Sequence, residues 1–243
     1  MSGYIVHWRG KTSIDRVTWT HLDDEITLPD HLEERRLGLW RELKEREPAA
    51  YDGDCLYIHD MQLAPDRVHL TTRPIKFSKH VTLLEKRDRV KGYGSIGVNA
   101  LIYNPEKTHL LVGVRSDSCL YYPGYHTVPT GLLSKEDTNG TIKQAFLREV
   151  EEETTLQLAP GMHLIAITTE HRDPFAVQLL IQCTTKKKPD TTKPVPGNHE
   201  WKNNQLHWTP LDQLIDIYEK SFIGVKYPAR QPMNRLSRTV LTR

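Results

Sequence analysis

Glu149, Glu152 and Glu153 lie within five residues of one another, in the stretch TIKQAFLREVEEETTL from Thr141 to Leu156. Drawn as a helix at roughly 100° per residue, Ile142, Phe146 and Val150 share one side, with Ala145 close by. Glu149 and Glu153 project into that same apolar stripe, Glu152 lies at its edge, and only Glu151 clearly faces away. A carboxylate on a buried face is costly unless something positive meets it. Lysine or arginine from elsewhere could do so, and so could a hard divalent cation. The i, i+3, i+4 spacing brings all three carboxylates to one side of a helix, within reach of one or two ions. A run of glutamates is ordinarily a solvated helix face. Two features argue otherwise here: Glu149 and Glu153 sit inside the apolar stripe, and Arg148 directly precedes the first of them.

The order Arg-Glu-apolar-x-Glu-Glu resembles the end of the Nudix box, G-x5-E-x7-R-E-U-x-E-E-x-G-U. Arg148, Glu149, Val150, Glu152, Glu153 and Leu156 stand in register with it. Pro129-Thr130-Gly131 stands where the family usually has Pro-Gly-Gly, and the run from Tyr122-Pro123-Gly124 to Gly131 is similar to the family's entry to its catalytic loop. The departures are specific. Gly131 to Arg148 is three residues longer than the pattern, Gly140 occupies the place of the isolated box glutamate, and Thr155 replaces the late glycine.

The resemblance implies an α/β fold, a Nudix-type α/β/α sandwich with a mixed sheet. It implies a diphosphatase that uses Mg2+, with Mn2+ as the alternative ion, and Glu149, Glu152 and Glu153 as metal ligands. Arg148 resembles the family's structural arginine, which pairs with a box carboxylate. Glu136 or Asp137 from the inserted loop could substitute for the missing glutamate, or both could stay in water. Glu170, His171 and Glu200 fall near strand ends, where a general base could reach the site, although residues of these types there are more often plain surface. A diphosphate resists water because its oxygens are anionic, and divalent ions screen that charge and acidify a bound water. The second implied function is a Nudix-fold sensor that binds a nucleotide-type ligand without cleaving it.

The elements around the box set the frame. The length suits one large domain or two smaller ones, and a hydrophobic share of 37% with 26% charged residues fits a folded, water-exposed chain. No apolar run approaches the roughly 20 residues of a membrane span. Cys55, Cys119 and Cys183 are isolated, without C-x-x-C spacing, which suggests reduced thiols in a cytoplasmic setting. A net charge of +2 names no partner. A small nucleotide-type molecule is the expected partner, nucleic acid and membrane are not, and a homodimer stays open.

Strands are expected at 4–8 and 14–20 around a turn at Arg9-Gly10-Lys11. A helix follows from Asp30, capped by Asp30 with Glu33 closing a capping box. Strands near 55–62 and 67–73 come next, then a charged connector at 85–94. The tryptophan-bearing helix, the Tyr51-Asp52-Gly53 turn and these strands resemble the amino-terminal region of longer Nudix proteins, including those that hydrolyse UDP-sugars. Residues 1–93 are therefore expected to form a smaller α+β layer, 94–223 the Nudix domain and 224–243 a basic tail. Within 94–223, 95–104 and 108–116 read as a hairpin and 162–169 and 175–184 as further strands. Lys186 to Asn198 reads as an exposed loop, 205–208 as a short strand, and 210–222 as a closing helix capped by Thr209.

Overall fold

The computed structural model describes residues 4–46, 48, 50–86, 90–119, 123–170, 173–187 and 200–214. In chain order the elements are β1 (Tyr4–Ser13), β2 (Val17–His21), α1 (Asp30–Arg46), β3 (Asp54–Leu63), β4 (Val68–Lys76), α2 (Phe77–Lys86) and β5 (Gly94–Tyr103). They continue with β6 (His109–Arg115), β7 (His126–Thr127), β8 (Thr130–Leu132), α3 (Ile142–Glu153), β9 (His163–Glu170), β10 (Asp173–Thr184) and β11 (Trp201–Pro210). Single 3-10 turns occupy Ile14–Arg16 and Lys135–Asn139. The fold class is α/β with a mixed sheet. β2 runs parallel to β4, whereas β3 is antiparallel to β4 and β5, and β6 is antiparallel to β5, β7 and β11.

Two compact units emerge. The first holds the described residues of Met1–Gly97, Leu132–Ala145 and Ile167–Leu179, and the second those of Val98–Gly131, Phe146–Ala166 and Leu180–Arg243. The strand order along the sheet is β1-β9-β10-β5-β3-β4-β2, and the first unit takes in only part of β5, β9 and β10. Ile26, Leu28, Leu32, Cys55, Tyr57, Ile75 and Leu83 form its buried cluster, flanked by Phe77 and Leu84. Each such side chain withdrawn from water contributes about 1.5–3 kcal/mol. The segment between β8 and α3 is tied down by its backbone. Leu56 N–H donates to the Leu133 carbonyl (2.8 Å) and Leu133 N–H to the Ile96 carbonyl (2.9 Å), and a bridge joins Cys55 to Ser134.

In the second unit β6 pairs along its length with β11, and its hairpin with β5 is closed by Asn104. The Asn104 Oδ1 accepts from Thr108 N–H and His109 N–H, both at 2.8 Å, while Lys107 takes the left-handed conformation (φ 56°). Helix α3 starts with a reciprocal cap in which Gln144 N–H donates to Thr141 Oγ1 (3.2 Å) and Thr141 N–H to Gln144 Oε1 (2.8 Å). Its stripe is as projected: Ile142, Ala145, Phe146 and Val150 are buried.

Several local expectations need correction. Arg9-Gly10-Lys11 is no turn but part of β1, because the Trp8 ring covers Gly10, where a side chain would collide with it (Trp8 Cζ2 at 2.7 Å). Asp30 does not cap α1. The Pro29 carbonyl accepts from Leu32 N–H (2.9 Å) and Glu33 N–H (3.0 Å), which puts Asp30 inside the first turn, and Glu33 pairs with Arg36 at 2.6 Å instead of closing a box. Pro210 ends β11, which starts at Trp201 and not at 205, and helix follows over 211–214. The remainder of the expected 210–222 helix, the basic tail and most of the lysine-rich loop lie outside the described residues.

Candidate active site

Glu149 and Glu153 sit where the apolar stripe of α3 places them, 9% and 4% exposed, while the Glu152 side chain is 57% exposed. Arg148 and the Thr130 N–H meet these buried carboxylates. Arg148 Nη2 donates to Glu149 Oε1 at 2.7 Å and Arg148 Nη1 to Glu152 Oε2 at 2.9 Å, so one guanidinium spans both carboxylates. The Thr130 N–H, from β8, donates to Glu153 Oε2 at 2.8 Å. Gly131, the next residue, lies directly under the Glu149 carboxylate, and a Cβ there would overlap it. Only glycine allows that approach.

Glu153 remains the electrostatically unsettled member. Burial holds its carboxyl well above the usual carboxylate range, Glu200 and Glu149 push it further up, and the Thr130 N–H and Arg115 only partly oppose them. Glu200 thereby joins the site from the residue preceding β11. It is held by Arg115, at the end of β6, with Nη1 to Oε2 at 3.4 Å, and by its backbone, since the Glu200 carbonyl accepts from Ser116 N–H (2.6 Å) and Cys119 Sγ (3.3 Å).

The sequence-expected residues thus divide. Arg148, Glu149, Glu152, Glu153 and Glu200 come together; Glu136 and Asp137 belong to the other unit. Asp137 is 8% exposed, and its Oδ2 accepts from Ser134 N–H (2.8 Å) and Ser134 Oγ (3.1 Å), while Glu136 is exposed. The Glu170 side chain and His171 lie outside the described residues. Arg115 and the Thr130 N–H were not anticipated. A lone arginine closing the apolar run THLLVGVR was the available signal for the first; a backbone donor leaves none.

The donor set suits a hard divalent cation in kind. It is all oxygen, and it includes a buried carboxyl raised by burial and by neighbouring carboxylates, which is the group that a cation would relieve. Glu149, Glu152 and Glu153 would hold the ion. Among the described residues no three such side chains are gathered into a finished cation shell, and Arg148 takes one oxygen each of Glu149 and Glu152.

The family model described as NUDIX domain matches residues 95–228, more than half of the chain. No curated protein matches in sequence. Solved structures similar to the chain include a NUDIX hydrolase from Alicyclobacillus acidocaldarius, 14% identical, covering 61% of this chain and 89% of that one at a TM-score of 0.44. A MutT NUDIX hydrolase from Burkholderia pseudomallei is 18% identical, with 61% and 95% covered at 0.42. The NUDIX domain of Shewanella oneidensis NrtR, complexed with ADP ribose, is 16% identical, with 54% and 80% covered at 0.41. Since the matched region takes in the hairpin, the loop under Glu149 and the glutamate helix together, the chain belongs to the NUDIX domain family.

Proposed function

We propose that the protein is a metal-dependent hydrolase that cleaves a diphosphate linkage in a nucleoside-diphosphate-linked substrate. The observation that carries this reading is the clustering of Glu149 and Glu200 around the buried Glu153 carboxyl, which the protein's own cations only partly neutralise. A permanently buried excess of negative charge is expensive, and a site that receives cations together with an anionic substrate accounts for it. Mg2+ bound by Glu149, Glu152 and Glu153 would supply charge screening and an acidified water. Arg148 orients Glu149 and Glu152 from one side, and the Thr130 N–H fixes Glu153 from the other. Glu200, half exposed and steadied by Arg115, is the proposed acceptor of the attacking water's proton. Water adds to one phosphorus, the bridging P–O bond breaks, and two phosphate monoesters leave. A nucleotide sugar is the proposed substrate class, supported by the order of α1 with Trp40, the Tyr51-Asp52-Gly53 segment and β3.

A second reading, ligand binding without turnover, is favoured by one observation: Gly140 replaces the isolated box glutamate, and the nearest acid, Asp137, is engaged by Ser134. An assay of phosphate monoester release from a panel of nucleoside-diphosphate-linked compounds with Mg2+ separates the two. Release that is lost in Glu153→Gln supports the hydrolase. Tight binding of a panel member with no release in any condition overturns it in favour of the sensor.

A further inference from the structure

Gly140 carries an interaction of its own. The Trp19 indole Nε1–H, from β2, donates to the Gly140 carbonyl at 3.0 Å. One residue later Thr141 and Gln144 cap α3, and in the first turn Lys143 Nζ meets Asp15 Oδ1 at 2.9 Å. Two residues from the stretch 15–19 therefore grip the start of the glutamate helix, one at the carbonyl before its cap and one at its first turn. The Leu133 backbone bonds anchor the other end of the intervening segment. Gly140 itself is extended (φ −132°, ψ −161°), and a Cβ there would press on the capping Gln144 Oε1 at 2.7 Å. Helix α3 is continuous, so any axial slip or rotation of its first turn moves Glu149, about two turns on, by a comparable amount.

We infer that Trp19 is a positioning residue for the metal-binding face of α3: its hydrogen bond to the Gly140 carbonyl sets the helix start, in the place where the family pattern has a glutamate. The inference rests on the metal reading proposed above. It assigns the amino-terminal strand β2 a part in the site's chemistry without any contact with substrate. A precise carboxylate constellation depends on such support.

The test is a Mn2+ titration of the full chain without substrate, following the paramagnetic signal of the free ion, with the unfolding midpoint measured in parallel. Trp19→Phe keeps the ring and removes the N–H. It is expected to weaken Mn2+ binding about five-fold, equivalent to about 1 kcal/mol at 1.4 kcal/mol per factor of ten. Thr18→Val, on the exposed neighbouring position, leaves binding unchanged. Wild-type binding with identical binding in Trp19→Phe overturns the inference alone; failure of the wild type to bind Mn2+ overturns the metal reading and the inference with it. A second measurement does not depend on the variant folding. Coupling is reciprocal, so in the wild-type chain labelled with 5-fluorotryptophan, the Trp19 fluorine resonance shifts on saturation with Mg2+. It is assigned by replacing the other four tryptophans of the five one at a time. A Trp19 resonance that Mg2+ saturation leaves in place overturns the inference.

Discussion

Gly131→Ala isolates the closest approach in the site. The added Cβ would overlap the Glu149 carboxylate, which Arg148 holds at 2.7 Å and which is 9% exposed, so neither group has an easy retreat. Relief requires Glu149 to swing away from Arg148 or β8 to shift from α3. Overpacking of this kind costs about 1–3 kcal/mol, and for a chain of this size each kcal/mol lowers the melting temperature by roughly 2–4 °C. Gly131→Ala should therefore melt several degrees below wild type. The clash has one partner, and a double-mutant cycle exposes it. In a Glu149→Ala background the carboxylate is gone, and Gly131→Ala should cost under about 0.5 kcal/mol, the scatter expected of uncoupled sites. Thermal or urea unfolding of the four proteins gives the coupling directly and needs no substrate. Equal cost in both backgrounds would refute the argument, since the penalty would then belong to the β8 backbone and not to the carboxylate.

Glu152→Gln and Glu153→Gln should each lower the hydrolytic rate at least a hundredfold with the fold retained, a few kcal/mol of transition-state stabilisation per group being typical; full activity in both variants sinks the ligand assignment. Glu200→Gln should lower kcat about a hundredfold, the usual contribution of a general base, and full activity removes Glu200 as the base. Asp137→Asn should destabilise the chain by about 1 kcal/mol through the weakened Ser134 bonds and leave the metal titration alone; a several-fold shift in Mg2+ requirement would instead bring that loop into the metal site. His80, buried with its Nδ1 at 2.8 Å from Ser95 Oγ, is pushed down by burial from 6.5 to about 4. The unfolded chain then binds the extra proton first, so stability is complete above about pH 6.5 and falls as pH drops toward 4. Between pH 7 and 5 His80 accounts for a loss of about 2 kcal/mol, and comparing urea midpoints of wild type and His80→Gln at the two pH values checks it.

The glutamate helix was legible because burial and periodicity agree there: Phe146 and Val150 define the stripe, and Glu149 and Glu153 violate it. The β5–β6 hairpin was legible for the same local reason. Helix α2 was not anticipated, and its cap explains why. The Ser78 N–H and Oγ–H both donate to Asp52, at 2.7 and 2.8 Å, from 26 residues upstream, and β4 passes straight into the helix at Lys76–Phe77 with neither glycine nor proline between. A cap supplied from outside the local stretch leaves no signature beside the helix. Glu200 was nameable but not placeable from sequence, since its position beside Glu153 depends on Arg115 and on the turn at Ser116. Trp19 was invisible for the same reason, its partner lying 121 residues away.

The strand order of the sheet has a consequence for how the chain is made. β1 neighbours β9, and β9 and β10 stand between β1 and β5, although they follow it by more than sixty residues in the chain. On a ribosome adding 5–20 residues per second, the residues up to Gly97 wait roughly 4–16 s before Leu179 has been added. During that interval β1, with Ile5 and Val6 exposed even in the finished fold, has an unsatisfied ladder and apolar side chains in water. Such an edge recruits whatever strand is nearest. The nascent chain is thus most vulnerable to aggregation after its amino-terminal elements are complete and before β9 arrives, and holdase chaperones would act in that window.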